Sequence, residues 1–280
     1  MKKRFRSSDI DAYCRTLRSR ERSEATVEKY ARALRAFALW LPAGKNVDKE
    51  VAMAYKSRLA AGYSPASVNA ALAALNGFFS HMGWDDCRLK PLRIQRRVFS
   101  SGDRELSKGE YERLVAAAER RRSGRLSLLL QLMAATGIRV SEIHAVTLQA
   151  VLDEKAVISL KGKVRTILLP GKLCRKLLKY ARAQKIASGE LFLTRSGRPL
   201  NRKEIWAQMK SLCHAAGVEP GKVFPHNLRR LFARVYYASQ KDIAKLADLL
   251  GHSSVETTRI YLLSSGDEHR RSLESLRLIC

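Results

Sequence analysis

The chain is 280 residues long, enough for two ordinary domains or one large one, and its 46% hydrophobic content supplies a real core and excludes wholesale disorder. Its 53 Lys and Arg against 26 Asp and Glu leave a net charge of +27, a self-repulsion that calls for a polyanionic partner. Nucleic acid is the first candidate, because each neutralised phosphate releases counterions, and an anionic membrane surface is the second; no apolar run reaches the ~18 residues needed to span a bilayer.

The opening MKKRFRSSDIDAYCR is basic but has no apolar core behind it, so a cytoplasmic rather than a secreted protein is expected, on the nucleoid if the source is bacterial. Val27, Tyr30, Ala31, Leu34, Phe37, Ala38 and Leu41 then recur at three- and four-residue steps and predict an amphipathic helix, with Ser23 placed to cap it and Pro42 beyond its end. A second helix fits Asp48 to Ala61, stopping at Gly62. A third follows Ser64-Pro65, with Val68, Leu72, Leu75 and Phe79 facing inward. Residues 85–104 lose this periodicity and gain charge, Pro and Gly, which reads as a basic linker. Ser107 is placed to cap a helix reaching about Arg121. The run Leu126 to Ala135 is apolar on nearly all sides, hence a buried helix, ended by Gly137. Residues 156–169 form two β-branched runs around Lys-Gly-Lys and predict a hairpin. Helices resume near Lys172, are interrupted by a short LFLT strand and an RSGRP turn, and fill the remainder.

These elements predict a mainly α protein with a small β-hairpin, in two domains: a helical domain over 1–84, a linker over 85–104 and a mixed α/β domain over 105–280 that ends in a tail helix. The charge is not confined to a tail. Up to residue 98 there are 20 basic and 9 acidic residues, and beyond it 33 and 17, so both domains are expected to carry a basic face rather than an ordinary solvated surface. The five cysteines (Cys14, Cys87, Cys174, Cys213, Cys280) are scattered without a CxxC pair. That argues against a disulfide framework or a zinc site and fits a reducing compartment.

Four features bear on chemistry. Arg139 follows a buried helix and a glycine in TGIRVSEI, a place where a cation is costly unless a carboxylate or phosphate meets it. Lys161 and Lys163 sit at the hairpin tip. In HNLRR, His226 and Arg229 are three apart and share a helix face. In LLGHSSVETTRIYL, Gly251 closes one helix, Ser253 and Glu256 are spaced as a capping box for the next, His252 lies at the junction and Tyr261 about two turns on.

In order and spacing these motifs resemble the tyrosine recombinases, the phage-integrase-like family that includes the recombinases resolving chromosome dimers. TGIRVSE supplies Arg139 and Glu142, HNLR supplies His226 and Arg229, and LGHSSVETTRIY supplies His252 and, nine residues on, Tyr261. Of the two hairpin lysines, Lys161 before the glycine matches the family better. Arg230 stands where the family often has His. The resemblance spans the whole chain, with SEATVEKYARALRAFALWL similar to the opening helix of the family's core-binding domain. It leaves no room for the separate arm-binding domain of the larger phage integrases.

The resemblance implies a double-stranded DNA partner, a homotetramer on two DNA sites with a C-shaped clamp on each duplex, and strand exchange through a Holliday junction for integration, excision, inversion or resolution. DNA-bending accessory proteins are possible partners, and a tail carrying Leu273, Leu276 and Ile279 would dock on a neighbouring protomer or on its own domain. It makes Tyr261 the nucleophile that forms a 3′-phosphotyrosyl bond, with Arg139, Arg229 and His252 on the non-bridging oxygens, where growing charge repays paired donors. Lys161 would protonate the leaving 5′ oxygen, His226 would manage the tyrosine proton or hold the phosphate, and Glu142 would orient the site. No HExxH, P-loop or acidic cluster is present, so neither metal nor cofactor is expected. The rivals are a type IB topoisomerase, which uses the same groups on one duplex, a non-enzymatic DNA-binding regulator on the same fold, and an RNA-binding protein.

Overall fold

The computed structural model describes residues 3–42, 44, 46–94, 105–121, 123–160, 163–194, 196–262 and 274; of Leu160 and Lys163 it describes the backbone. The chain divides into two compact units, Met1–Arg96 and Arg97–Cys280. Among the described residues it is mainly α-helical, as the periodicity predicts, with the expected β-hairpin and a second small antiparallel pair that the sequence reading did not foresee.

The first unit opens with β1 (Lys3–Arg4), followed by α1 (Ser7–Ser19) and α2 (Glu24–Trp40). Then come β2 (Asn46–Val47), which pairs with β1, α3 (Lys49–Gly62) and α4 (Pro65–His81). Asp48 and Ser64 cap α3 and α4 through the Val51 and Ser67 amides. Ser23 stands at the N-cap of α2, but its hydroxyl meets Thr26 Oγ1 at 2.9 Å rather than a backbone amide. Helix α1 is an addition to the sequence reading: Ile10, Tyr13, Cys14 and Leu17 form its buried stripe. Edge-to-face aromatic pairs, Phe5 on Phe37 and Phe78 on Trp84 among them, fill the core.

Residues 85–94 correct the linker expected from residue 85. Cys87 and Leu89 are buried in the first unit's core. The amide side chains of Asn76 and Asn69, on α4, each exchange two hydrogen bonds with the backbone of Leu89 and Leu92. Charge hid this because the docking is through backbone groups, which leave no apolar period. The rest of the linker, 95–104, lies outside the described residues.

The second unit runs α5 (Lys108–Arg120), α6 (Gly124–Thr136), a 3₁₀ turn (Val140–Ala145), α7 (Leu148–Leu152), β3 (Lys155–Leu160) and β4 (Lys163–Leu168). It continues with α8 (Gly171–Ala183), α9 (Arg202–Ser211), α10 (Cys213–Ala216), α11 (Pro225–Gln240), α12 (Ile243–Leu250) and α13 (Val255–Arg259), and then a 3₁₀ turn (Ile260–Leu262). Ser107 and Glu110 form a reciprocal capping box on α5. Helix α6 is buried around its circumference and packs on α11. The LFLT segment is not a strand; Leu193 makes one isolated bridge, to Pro199. The cap of α13 is Ser254, which accepts from the Glu256 amide, not Ser253, and the helix is too short to hold Tyr261, which falls in the following 3₁₀ turn. The tail over 263–273 and 275–280 lies outside the described residues.

Gly137 closes α6 and Gly251 closes α12 in the left-handed region, each at φ 62°. A Cβ on Gly137 would stand 2.6 Å from Phe232 and 2.9 Å from Leu250. Gly137→Ala is therefore expected to lose about 1–3 kcal/mol in urea unfolding, from backbone strain and crowding together. Gly124→Ala, at a position open for 4 Å around a Cβ, should leave stability unchanged or slightly raised. Equal behaviour of the two variants would contradict the account.

Candidate active site

The site is built on the two glycine caps. A helix ends with carbonyls that lack intrahelical partners and carry partial negative charge. At the end of α12 these carbonyls meet three guanidinium groups. Arg139 Nη2 donates to Gly251 O at 3.3 Å, Arg229 Nη2 donates to Leu250 O at 2.6 Å, and Arg165 Nη1 donates to the same Leu250 oxygen. Arg229 also donates through Nη1 to Gly137 O, so it joins the ends of α6 and α12.

Arg229 is only 2% exposed, yet the groups it bonds, the Gly137 and Leu250 carbonyls, the His252 ring and the Tyr261 hydroxyl, include no carboxylate. Burial and the nearby Arg139 lower its pKa to about 10, with Tyr261 pulling the other way, so it stays cationic at neutral pH. The carboxylate in the cluster is Glu142, also 2% exposed. Its Oε1 accepts from Arg139 Nη1 at 2.8 Å. Its Oε2 accepts from the Arg139 backbone amide at 2.9 Å and from Arg165 Nη2 at 3.2 Å. Glu142 thus caps its own 3₁₀ turn and orients two arginines at once, which joins the two roles its position in TGIRVSE allows.

His252 follows Gly251 directly. Its Nε2 lies 2.9 Å from Arg229 Nη2 and its Nδ1 lies 2.8 Å from Thr258 Oγ1. A guanidinium can only donate, so Nε2 accepts and the ring proton sits on Nδ1, directed at Thr258. Burial, then Arg229, Arg139 and Arg165, push the ring's pKa down to about 4, which keeps it neutral. His226, on the first turn of α11, is lowered by burial and by the charges of Arg230, Arg229 and Arg139. Tyr261 lies between the two rings, with centroids 5.2 Å from His226 and 5.3 Å from His252, stacked on the latter at 23°. Phe232 and Tyr236 on α11, with Leu246 and Leu250 on α12, form the small apolar cluster that seats it.

The fold therefore brings together Arg139, Glu142, His226, Arg229, His252 and Tyr261. Lys161 lies outside the described residues, and Lys163 is described as a residue of β4 by its backbone alone. Sequence reasoning missed Arg165 and Thr258. Strand alternation carries a signal for Arg165, since it shares its face of β4 with buried Ile167, and an inward-facing charge in a strand asks for a partner. Thr258 carries no such signal, because its role depends on where α13 starts.

Comparison with known proteins agrees with this geometry. The profile of the phage integrase family matches residues 104–267, and that of its N-terminal SAM-like domain matches residues 10–84. Tyrosine recombinase XerA of Pyrococcus furiosus is 28% identical over an alignment of 287 positions that covers 99% of this chain and 96% of the relative. Tyrosine recombinase XerD of Xanthomonas campestris pv. campestris is 30% identical over 85% of this chain and 81% of its own. Among solved structures, XerH recombinase bound to difH substrate in a pre-cleavage complex aligns with a TM-score of 0.67, at 21% identity, over 96% of this chain and 84% of that one. A lambda integrase tetramer bound to a Holliday junction gives 0.71, at 20% identity, over 91% and 76%. With the catalytic-domain profile matched across more than half of its length, the chain belongs to the phage integrase family, the tyrosine recombinases.

Proposed function

We propose that this tyrosine recombinase cuts and rejoins DNA at specific sites, with Tyr261 as nucleophile and Arg139, Arg229 and His252 as the grip on the scissile phosphate. The observation that carries this reading is the convergence of one tyrosine hydroxyl, two imidazoles and three guanidinium groups on the end of α12, with Glu142 the carboxylate among them. Such a cluster has an excess of fixed positive charge, and a phosphodiester supplies the missing anion.

Attack by Tyr261 forms a phosphotyrosyl bond to the 3′ phosphate and releases the 5′ oxygen. Charge grows on the non-bridging oxygens as the fifth ligand arrives. Arg139 and Arg229 are held in place before the reaction, so stabilising that charge costs no reorganisation at the moment of attack. Burial, then the charges of the neighbouring arginines, lower the pKa of His226, which favours the neutral ring that can take the phenol proton. The phosphate's charge offsets the cations that hold His252 neutral. The ring then gains a proton and donates Nε2–H to a phosphate oxygen. Lys161 supplies the proton of the leaving 5′ oxygen. The phosphotyrosyl bond retains the energy needed to rejoin, so no nucleotide hydrolysis is called for.

The active form we infer is a homotetramer on two double-stranded sites, exchanging strands through a Holliday junction in the cytoplasm. The two basic units would grip each duplex, and DNA-bending proteins would assist where one order of sites must be favoured. Integration, excision, inversion and resolution share this chemistry and differ in how the sites are arranged.

The direct test uses duplex DNA with a nicked candidate site, denatured after incubation. A covalent protein–DNA adduct is expected with the unaltered chain and lost in Tyr261→Phe, with DNA binding retained. An adduct that survives Tyr261→Phe would overturn the assignment, and an adduct without strand exchange between two duplexes would favour a topoisomerase instead.

The histidines make a second prediction. Folding holds His252 near pKa 4, whereas the unfolded ring titrates near 6.5. Between those values the unfolded chain binds a proton that the folded chain refuses, so stability falls as pH drops from about 6.5 towards 4. His226 is shifted in the same direction. The fall in melting temperature between pH 7.5 and pH 5 should be smaller in a His226→Gln/His252→Gln chain than in the unaltered one. An equal or larger fall would contradict the shifts.

A further inference from the structure

The β3–β4 ladder runs in register from Lys155–Leu168 to Leu160–Lys163. Its outward face carries exposed Val157, Val164 and Leu168, while Ile158 and Ile167 point into the core. Arg165 shares the inward face, packs its stem over Gly251 and places its charge on two partners. Its stem crosses Gly251 so closely that a Cβ there would fall 2.5 Å from Arg165 Cδ. Its Nη1 donates to Leu250 O, and its Nη2 donates to Glu142 Oε2 at 3.2 Å. The other oxygen of Glu142 holds Arg139. A hairpin needs no charge to lie on a core, and Ile158 with Ile167 already supplies apolar contact. Burial also lowers the pKa of Arg165, so the fold meets a cost in keeping it there.

We propose that Arg165 is a positioning residue that anchors the β3–β4 hairpin to the guanidinium cluster, and so sets where the lysine of the hairpin tip meets the leaving oxygen. It is the side chain by which β4 reaches both the end of α12 and the carboxylate that aligns Arg139. Gly251 is then required twice, for its left-handed backbone and for the room it leaves Arg165. This inference rests on the reading that Lys161 is the general acid. In the step concerned, Tyr261 Oη forms a bond to phosphorus and the bond from phosphorus to O5′ breaks. The lysine ammonium passes a proton to O5′ and becomes an amine, while the phenol proton goes to His226.

Sulfur in place of the bridging O5′ tests the idea, because a thiolate (pKa near 8.5 for a thiol) leaves without a proton, whereas an alkoxide does not. Arg165→Gln, Arg165→Lys and Lys161→Ala are compared on nicked sites with oxygen or sulfur at that position, reading the single-turnover cleavage rate. Both Arg165 variants should cleave the oxygen substrate about a hundredfold or more slowly, the range of a lost general acid, and recover to within about tenfold of the unaltered chain on sulfur. Arg165→Lys keeps the charge but not the planar two-pronged bridge, so it separates anchoring from charge alone. Recovery on sulfur also shows that the variant is folded. Arg165 variants that cleave oxygen normally, or that stay equally slow on both substrates while Lys161→Ala is rescued, would overturn the proposal and leave Lys161 as the acid. Rescue of the Arg165 variants without rescue of Lys161→Ala would remove Lys161 as the acid and, with it, the proposal that Arg165 positions that lysine. Rescue of neither would sink both.

Discussion

The end of helix α12 is the constraint on which the site depends. Two carbonyls, Leu250 and Gly251, receive three guanidinium groups drawn from a 3₁₀ turn, a strand and a helix far apart in sequence. The carbonyls are free to do so because Gly251 turns left-handed and stops the helix. The same turn delivers His252 against Arg229 and starts α13, and the 3₁₀ turn that follows α13 brings Tyr261 back over both histidines. Gly137 repeats the device at the end of α6 and gives Arg229 its second anchor. Arg139, Arg165 and Arg229 are thereby tied to backbone groups at element ends, which move less than loop side chains.

This arrangement trades stability for function. A buried guanidinium bonded to neutral acceptors is costly, and Arg229, Arg165 and the more exposed Arg139 repel one another. The lowered pKa values of Arg229, Arg165 and His252 record that cost. Hydrogen bonds to helix-end carbonyls offset part of it by meeting the macrodipole's negative end. The remainder is relieved when an anionic phosphate arrives, so the strain of the free site becomes affinity for the state in which phosphate charge is greatest. The net charge of +27 acts at longer range. Spread over both units, it suits attraction to duplex DNA, whereas in the proposed mechanism the few buried cations act on one phosphate.

Much of this was legible in the sequence, for reasons that differ by element. Apolar periodicity marked α2, α3 and α4, and Gly137 and Gly251 marked two helix ends, because those signals are local. The motif residues from Arg139 to Tyr261 could be named because their order and spacing resemble the tyrosine recombinases. What escaped depends on contacts between distant segments. Residues 85–94 look like a charged linker but dock through asparagine side chains on α4. Arg165 looks like one more cation in a basic hairpin, and its meaning lies in Glu142 and Leu250, 23 and 85 residues away. The cap at Ser254 rather than Ser253, and the end of α13 at Arg259, which leaves Tyr261 in a turn, are likewise beyond the reach of spacing.

The account's central claim is that the guanidinium cluster exists to meet charge on a phosphodiester. It is tested most directly by cleavage of a site whose scissile phosphate carries a methylphosphonate, which removes one non-bridging charge. Arg139→Ala is the variant to use, because the Arg139 side chain is 39% exposed and its loss spares the buried anchors. The account predicts that Arg139→Ala fails on the natural phosphate and regains covalent adduct formation on the neutral one. A folded, DNA-binding Arg139→Ala chain equally inactive on both would contradict it.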